Sequence, residues 1–115
     1  MSKKRVVVTG LSAITPLGGD VTSSWDALLA GKSGIAPITH FDASAFAARI
    51  AGEVKNFDPE SYGIPQKLAK RMDRFVQLGA SGGLELITDA GVTVPASNAP
   101  RLAVLLSVRL AGLTT

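Results

Sequence analysis

Two short, uninterrupted apolar runs constrain the fold of this chain more than any other feature. Val6–Val8 is followed by Thr9-Gly10, and Leu102–Leu106 lies near the end of the 115-residue sequence. Neither run alternates with polar residues, which is typical of strands buried on both faces of a parallel sheet. A weaker pattern at 49–54 predicts another strand between them. Because an exposed apolar strand is prone to aggregate, we expect the last strand to be covered by further structure, or the chain to be a fragment.

Two segments between these runs have the spacing of helices. The first is predicted to begin at Asp20 or Thr22 and to end at about residue 30, where Gly31 can adopt a left-handed conformation. The second is predicted over about 65–90 and is ended by Gly91. The order strand, helix, strand, helix, strand predicts an α/β layer with parallel pairing and right-handed crossovers.

The composition excludes several kinds of site. The chain has no cysteine, so it holds no disulfide, no thiolate metal site and no thiol nucleophile. His40 is the only histidine, and we expect it to fix a loop, with Asp42 as a possible hydrogen-bond partner. Scattered carboxylates and one imidazole predict no metal site. A serine triad is not expected either, because the Gly-x-Ser-x-Gly elbow is missing and Ser81 lies inside a predicted helix.

Targeting and membrane signals are weak. No apolar run approaches the roughly 20 residues that span a bilayer. The basic start is followed by too short an apolar run for a secretory signal, so we expect a cytoplasmic protein. The net charge is +3, and no aromatic residues alternate with the basic ones in an RNA-binding signature, so we expect no nucleic acid partner.

A nicotinamide-nucleotide site is one functional alternative. Val6–Val8 with Gly10 has the form of a strand that enters a phosphate-binding loop. The dinucleotide fingerprint then needs further glycines, but the next one is Gly18, and the predicted helix begins too late to direct its N-terminus at a phosphate. A strand followed by an ordinary loop is the better interpretation.

A basic cluster is the second functional candidate. Lys67, Lys70, Arg71 and Arg74 are spaced at i, i+3, i+4 and i+7, which places four cations on one face of the predicted helix. Like charges at these separations repel one another. The spacing therefore indicates either a solvated helix face or a surface that binds an anionic partner.

Several blocks of the sequence, in order, resemble the N-terminal part of the β-ketoacyl-[acyl-carrier-protein] synthases of the elongating, type II kind. The resemblance covers about residues 3–106. The matching blocks are KRVVVTGL at Lys4–Leu11, TPLG at Thr15–Gly18, SWDALLAGKSGI at Ser24–Ile35, HFD at His40–Asp42, AGEVKNF at Ala51–Phe57 and KRMDRF at Lys70–Phe75.

The resemblance implies a fold and an activity. It implies that residues 1–115 form a single partial domain, the N-terminal segment of a thiolase-like α/β fold. The implied enzyme is an acyltransferase of fatty acid biosynthesis, a homodimer that condenses acyl groups with malonyl-[acyl-carrier-protein] and releases carbon dioxide. Its catalytic cysteine and two histidines lie downstream of the region matched here, so no catalytic residue is assigned, and we expect the 115 residues alone to be inactive.

The resemblance also implies two sites. Lys67, Lys70 and Arg71 match basic positions that dock the acidic acyl carrier protein, and Arg74 extends the face by spacing. That partner carries its own phosphopantetheine arm, so no cofactor is expected in this chain. Leu110 stands where an isoleucine of the family lines the acyl pocket. The glycine-rich turn of the family is replaced here at Ser107, Arg109 and Ala111, which departs from the pattern.

Two interpretations of the chain's function remain open at this point. One is a portion of a condensing enzyme. The other is a non-catalytic fragment or interaction module that at most docks an acyl carrier protein.

Overall fold

The computed structural model describes residues 2–109, and the chain divides into two compact units. The hairpin unit is Ser12–Asp58. The long-helix unit combines Met1–Leu11 with Pro59–Thr115. Each unit is described separately below.

Helix α1 of the hairpin unit, Val21–Leu29, begins and ends where local signals predict. The Ser23 N–H donates to Asp20 Oδ1 at 2.7 Å, and the Asp20 N–H donates back to Ser23 Oγ at 3.3 Å. This reciprocal pair satisfies backbone donors that the first turn leaves without intrahelical partners. Gly31 follows the helix with φ of 69°, the left-handed conformation expected of it.

A tight turn at Thr15–Gly18 precedes α1. The Thr15 N–H donates to the Gly18 carbonyl at 2.8 Å, and the Gly18 N–H donates back at 3.2 Å. The Thr15 hydroxyl also lies 2.8 Å from that of Ser24 in α1. Pro16 lies so close to Gly52 that a β-carbon there would be 3.1 Å from the proline Cγ. The turn therefore connects α1 to the sheet.

The sheet has two antiparallel strands, β1 at Ile35–Pro37 and β2 at Ile50–Gly52, with Ala36 opposite Ala51. Strand β2 confirms the strand predicted at 49–54, whereas β1 was not predicted. The parallel pairing expected from the sequence is wrong for this sheet. The segment that joins the two strands, residues 38–49, contains no helix, whereas parallel strands are usually joined through one.

The Glu53 carboxylate, just after β2, holds the loop that follows β1. It accepts hydrogen bonds from the Thr39 hydroxyl at 2.7 Å, the Thr39 N–H at 3.1 Å and the His40 N–H at 3.3 Å. His40 Nε2 lies 3.8 Å from Glu53 Oε1. The expected partner of His40 is wrong, because Asp42 instead accepts from the Ser44 N–H at 3.0 Å. His40 does help to fix a loop, but its partner is the Glu53 carboxylate, which lies just after β2.

The long-helix unit contains α2 at Gln66–Ala69 and α3 at Arg74–Ala90. The 3₁₀ helices Pro59–Tyr62 and Ala99–Arg101 flank them. The single helix predicted over 65–90 is wrong, since the chain leaves helical geometry between α2 and α3. Gly91 ends α3 with φ of 62°, as predicted.

The predicted strands at Val6–Val8 and Leu102–Leu106 are not strands in the described structure. Both segments belong to the long-helix unit, and within residues 2–109 neither pairs with another backbone segment. The physical reason is that a strand exists only through the hydrogen bonds of a neighbour. Without such a neighbour, the side chains of both runs stay largely exposed.

Little apolar surface is buried in the described residues. The buried apolar residues are Ala27, Ala43, Ile64 and Ala69. The apolar stripe of α1, formed by Trp25, Leu28 and Leu29, is more than half exposed. Among the described helices, none is long and apolar enough to cross a membrane. Local hydrogen bonds, more than a large core, therefore define the elements.

Replacing the residue that caps α1 tests the local origin of this helix. Hydrogen bonding from Ser23, first through its hydroxyl and then through its backbone, lowers the pKa of Asp20, so the cap is ionised at neutral pH. We expect Asp20→Ala to lower the midpoint of thermal unfolding, followed by far-ultraviolet circular dichroism, because it removes this acceptor. Asp20→Asn keeps a good capping oxygen and is the control. Equal midpoints for all three proteins would contradict the assignment.

Glu53 gives a prediction on pH dependence. The Thr39 hydroxyl is the main cause that holds the pKa of Glu53 below its ordinary 4.5. Since the folded chain favours the ionised form, the stabilisation is fully present above pH 4.5 and is lost as the pH falls through the lowered pKa. Thr39→Val should raise the pKa of Glu53 toward 4.5, measured by NMR titration of its side-chain carboxyl. An unchanged titration curve would show that this hydrogen bond does not form in solution.

Candidate functional site

The four cations singled out in the sequence lie in one short stretch, which we call the basic segment, residues 67–74. Lys67 is in α2, Lys70 and Arg71 lie in the turn that follows, and Arg74 is the first residue of α3. All four residues are exposed. The structure therefore brings the predicted residues together on accessible surface of the long-helix unit.

Gln77 in α3 holds the turn that carries Lys70 and Arg71. Its side-chain amide donates to the Ala69 carbonyl at 2.8 Å and to the Met72 carbonyl at 3.2 Å. In a continuous helix these two carbonyls would accept from backbone N–H groups four residues later. The side chain of Gln77 takes their place, and Asp73 is extended, with ψ of 156°. This amide stabilises the break between α2 and α3.

The break corrects the predicted arrangement of the cations. The spacing from Lys67 to Arg74 was expected to place all four on one helix face, but that spacing applies only within a continuous helix. Here the N–H groups of Arg71 and Met72 donate three residues back, to Leu68 and Ala69, at 3.0 Å each, which tightens the end of α2. The cations are presented by a helix end, a turn and a helix start.

The electrostatics of the basic segment favour an anionic partner. Within the part of the chain that the structure describes, Lys67, Lys70 and Arg71 form no ion pair with a carboxylate. Asp73, the one acidic residue of the segment, makes no side-chain capping bond to α3. Exposed cations without internal partners keep their charge available for long-range attraction to a negatively charged surface.

The second predicted site lies outside the described residues. Leu110, expected in the acyl pocket, is beyond residue 109, as is Ala111. Of the altered turn, Ser107 and Arg109 are described, and both are exposed. The pocket assignment therefore stays a prediction.

The hairpin unit has an open apolar groove of about 430 Å³. The turn at Thr15–Leu17, the exposed stripe of α1 and Ile35 line it. Its hydroxyl groups, Thr15 and Ser24, hydrogen-bond to each other. A groove with this lining offers apolar contact and no acid, base or nucleophile.

The remaining candidates from the sequence, among them Ser81 and Gly10, provide no accessible reactive group. Ser81 is fully buried in α3, and its hydroxyl has no hydrogen-bond partner among residues 2–109, so it is not accessible to a substrate. Gly10 lies against Ala90, where a β-carbon would come within 2.7 Å of the alanine Cβ, so its position serves packing with α3. In the described ranges, no group of three or more acidic or histidine side chains is placed to hold a metal ion.

The model of the family described as "Beta-ketoacyl synthase, N-terminal domain" matches residues 3–114. The 3-oxoacyl-[acyl-carrier-protein] synthase 2 of Vibrio cholerae is 48% identical over 98% of this chain and 27% of its own length. The proteins of the same name from Synechocystis and Staphylococcus aureus are 45% and 38% identical, over 98% and 97% of this chain and 27% of each relative. The chain thus spans about a quarter of the length of these curated relatives.

A solved ketosynthase structure has a similar fold. The ishigamide ketosynthase/chain length factor superposes with a TM-score of 0.69 at 34% identity, covering 80% of this chain and 23% of that one. The expected fold class, the N-terminal part of a thiolase-like α/β fold, is confirmed by this likeness, although two of its expected strands are unpaired here. Because the N-terminal domain model of the family matches residues 3–114, this chain belongs to the β-ketoacyl synthase family.

Proposed function

We propose that this chain contributes the N-terminal part of a 3-oxoacyl-[acyl-carrier-protein] synthase. The whole enzyme would be an acyltransferase of fatty acid biosynthesis that condenses acyl groups with malonyl-[acyl-carrier-protein] and releases carbon dioxide. The names of the relatives and their identity over nearly the whole chain support this proposal. We further propose that the enzyme works as a homodimer in the cytoplasm.

The role proposed for these residues is to dock the acyl carrier protein. The observation that carries it is the basic segment, in which Lys67, Lys70 and Arg71 are exposed and have no carboxylate partner within the described chain. An acidic carrier protein would be attracted to this segment from a distance and oriented on contact. The acyl chain itself would arrive on the phosphopantetheine arm of that partner, so the docking site needs no cofactor of its own.

A docking module without catalytic activity remains the second candidate. The specific observation that favours it is the composition, since the 115 residues contain no cysteine that could receive an acyl group. The two candidates share the docking site. They differ in whether the catalytic thiol is supplied by further polypeptide.

Charge reversal at Lys70 tests the docking site. We expect a bacterial acyl carrier protein to bind the chain more weakly as salt is added, because screening reduces attraction between exposed charges. Lys70→Glu should weaken binding at low salt by about five- to tenfold, since it replaces attraction with repulsion. Isothermal titration calorimetry measures both effects.

Lys32→Glu is the matched control for Lys70→Glu. Lys32 is also exposed, but it lies in the hairpin unit, outside the basic segment. Lys32→Glu changes the net charge by the same amount as Lys70→Glu and should weaken carrier-protein binding less. Equal weakening by both substitutions would show that binding depends on net charge and not on the basic segment. If the carrier protein does not bind at low salt, the docking site is rejected.

A second experiment tests the expected lack of catalysis. When the purified chain is incubated with acyl-[acyl-carrier-protein], intact-mass spectrometry should detect no acyl adduct on the chain. The reason is that acyl transfer in this family needs a thiol, and the sequence has none. A stoichiometric adduct would show that another side chain acts as the nucleophile.

A further inference from the structure

The side chain of Gln77 connects the two α-helices of the long-helix unit across the turn of the basic segment. Its amide donates to the carbonyls of Ala69 and Met72, one before and one after the two cations of the turn. The backbone N–H of Gln77 also donates to the Asp73 carbonyl, at 3.0 Å. One residue of α3 therefore satisfies three carbonyl groups of the chain that leads into this helix.

Helix α2 has little stability of its own. It contains four residues, Gln66–Ala69, whereas isolated helices shorter than about 12 residues are marginal in water. Ala69 is its one buried residue. Helix α3 has 17 residues and is the longer support. Because the Gln77 amide joins the end of α2 to α3, it helps to fix the orientation of α2 and of the turn that follows.

The carbonyls that Gln77 occupies would have other donors in a continuous helix. There the Ala69 carbonyl would accept from the Asp73 N–H, and the Met72 carbonyl would accept from the Val76 N–H. The helical spacing of this stretch is compatible with that continuous arrangement, in which the four cations would share one face. By taking both acceptors, the Gln77 amide favours the broken arrangement, and so it determines how the cations are presented.

We propose that Gln77 is a positioning residue for the docking of the acyl carrier protein, and that its amide holds the turn of the basic segment in the conformation that the partner binds. The inference rests on the docking function proposed above. The half-buried amide of Gln77 donates to carbonyls of its own chain, so it acts through the cations. A turn that already has its bound conformation needs no ordering on contact, and this preorganisation strengthens a complex.

Loss of a positioning group has a different kinetic effect from loss of a charge. Replacing an exposed cation mainly slows association and changes the salt dependence of binding. Replacing Gln77 by an uncharged residue leaves every charge in place, so the long-range attraction and its salt dependence should not change. The complex should instead dissociate faster, because the turn is held less firmly against its partner.

Gln77→Met tests this role, since methionine keeps the length and helix propensity of glutamine but cannot donate a hydrogen bond. Surface plasmon resonance with a bacterial acyl carrier protein, at several salt concentrations, measures both rate constants. We expect the dissociation rate constant to rise about three- to tenfold, and the association rate constant to keep its value and its salt dependence. Backbone NMR chemical shifts of residues 70–73 should change in the free chain. An unchanged dissociation rate constant, or unchanged shifts, would overturn the proposal.

Gln66→Met is the matched control. Gln66 is the exposed first residue of α2, and its side chain forms no hydrogen bond within residues 2–109. The same exchange there should leave both rate constants unchanged, and equally fast dissociation of this variant would reject the role of Gln77. Partial unfolding of the Gln77→Met chain would lower the fraction able to bind, and with it the apparent association rate constant alone. A decrease confined to association would therefore show a merely structural role and also reject the proposal.

Lys70→Glu separates this inference from the docking proposal. If Lys70→Glu weakens binding and Gln77→Met leaves dissociation unchanged, the docking site stands and the positioning role of Gln77 is wrong. If the unmodified chain does not bind the carrier protein at low salt, the docking site is rejected, and the positioning role is rejected with it.

Discussion

Backbone pairing between strands is the constraint on which this structure depends. The apolar runs Val6–Val8 and Leu102–Leu106 are suited to form buried strands. No neighbour pairs with them in the described residues, so their side chains lie on the surface. The elements that do form are held largely by a few specific hydrogen bonds. These are the cap at Asp20, the turn at Thr15–Gly18, the Glu53 carboxylate and the Gln77 amide. The part of the family fold present here is therefore well defined locally and has little apolar core.

The accuracy of sequence-based prediction follows the same division between local and distant interactions. The start of α1 and the ends of both long helices were predicted because Asp20, Gly31 and Gly91 act within one turn of the chain. The prediction of strands at Val6–Val8 and Leu102–Leu106 was wrong. An apolar run indicates that a strand could be buried there, but it does not indicate whether a neighbouring strand is present to pair with it. Strand β1 was not predicted because it is only three residues long and ends in Pro37.

Within the eight residues of the basic segment, the exposed cations were predicted correctly and their arrangement was not. Its cations are evident from residue type, and their exposure follows from the cost of burying unpaired charge. Their arrangement was not predictable from spacing, since Gln77 replaces backbone donors by a side-chain contact that helical periodicity does not encode. The partner of His40 was missed for a related reason. Asp42 is near it in sequence, whereas Glu53 reaches it only through the pairing of β1 with β2.

The conformation of the turn that carries Lys70 and Arg71 depends on one uncharged group, the side-chain amide of Gln77. Both of its hydrogen bonds use the amide nitrogen, and both acceptors are carbonyl oxygens. Deamidation of this residue would replace a donor by a carboxylate facing two electron-rich oxygens. The joint between the helices would then loosen without any change to the cations themselves. Chemical ageing at a residue that touches no partner would thus disturb how this family member presents its charge.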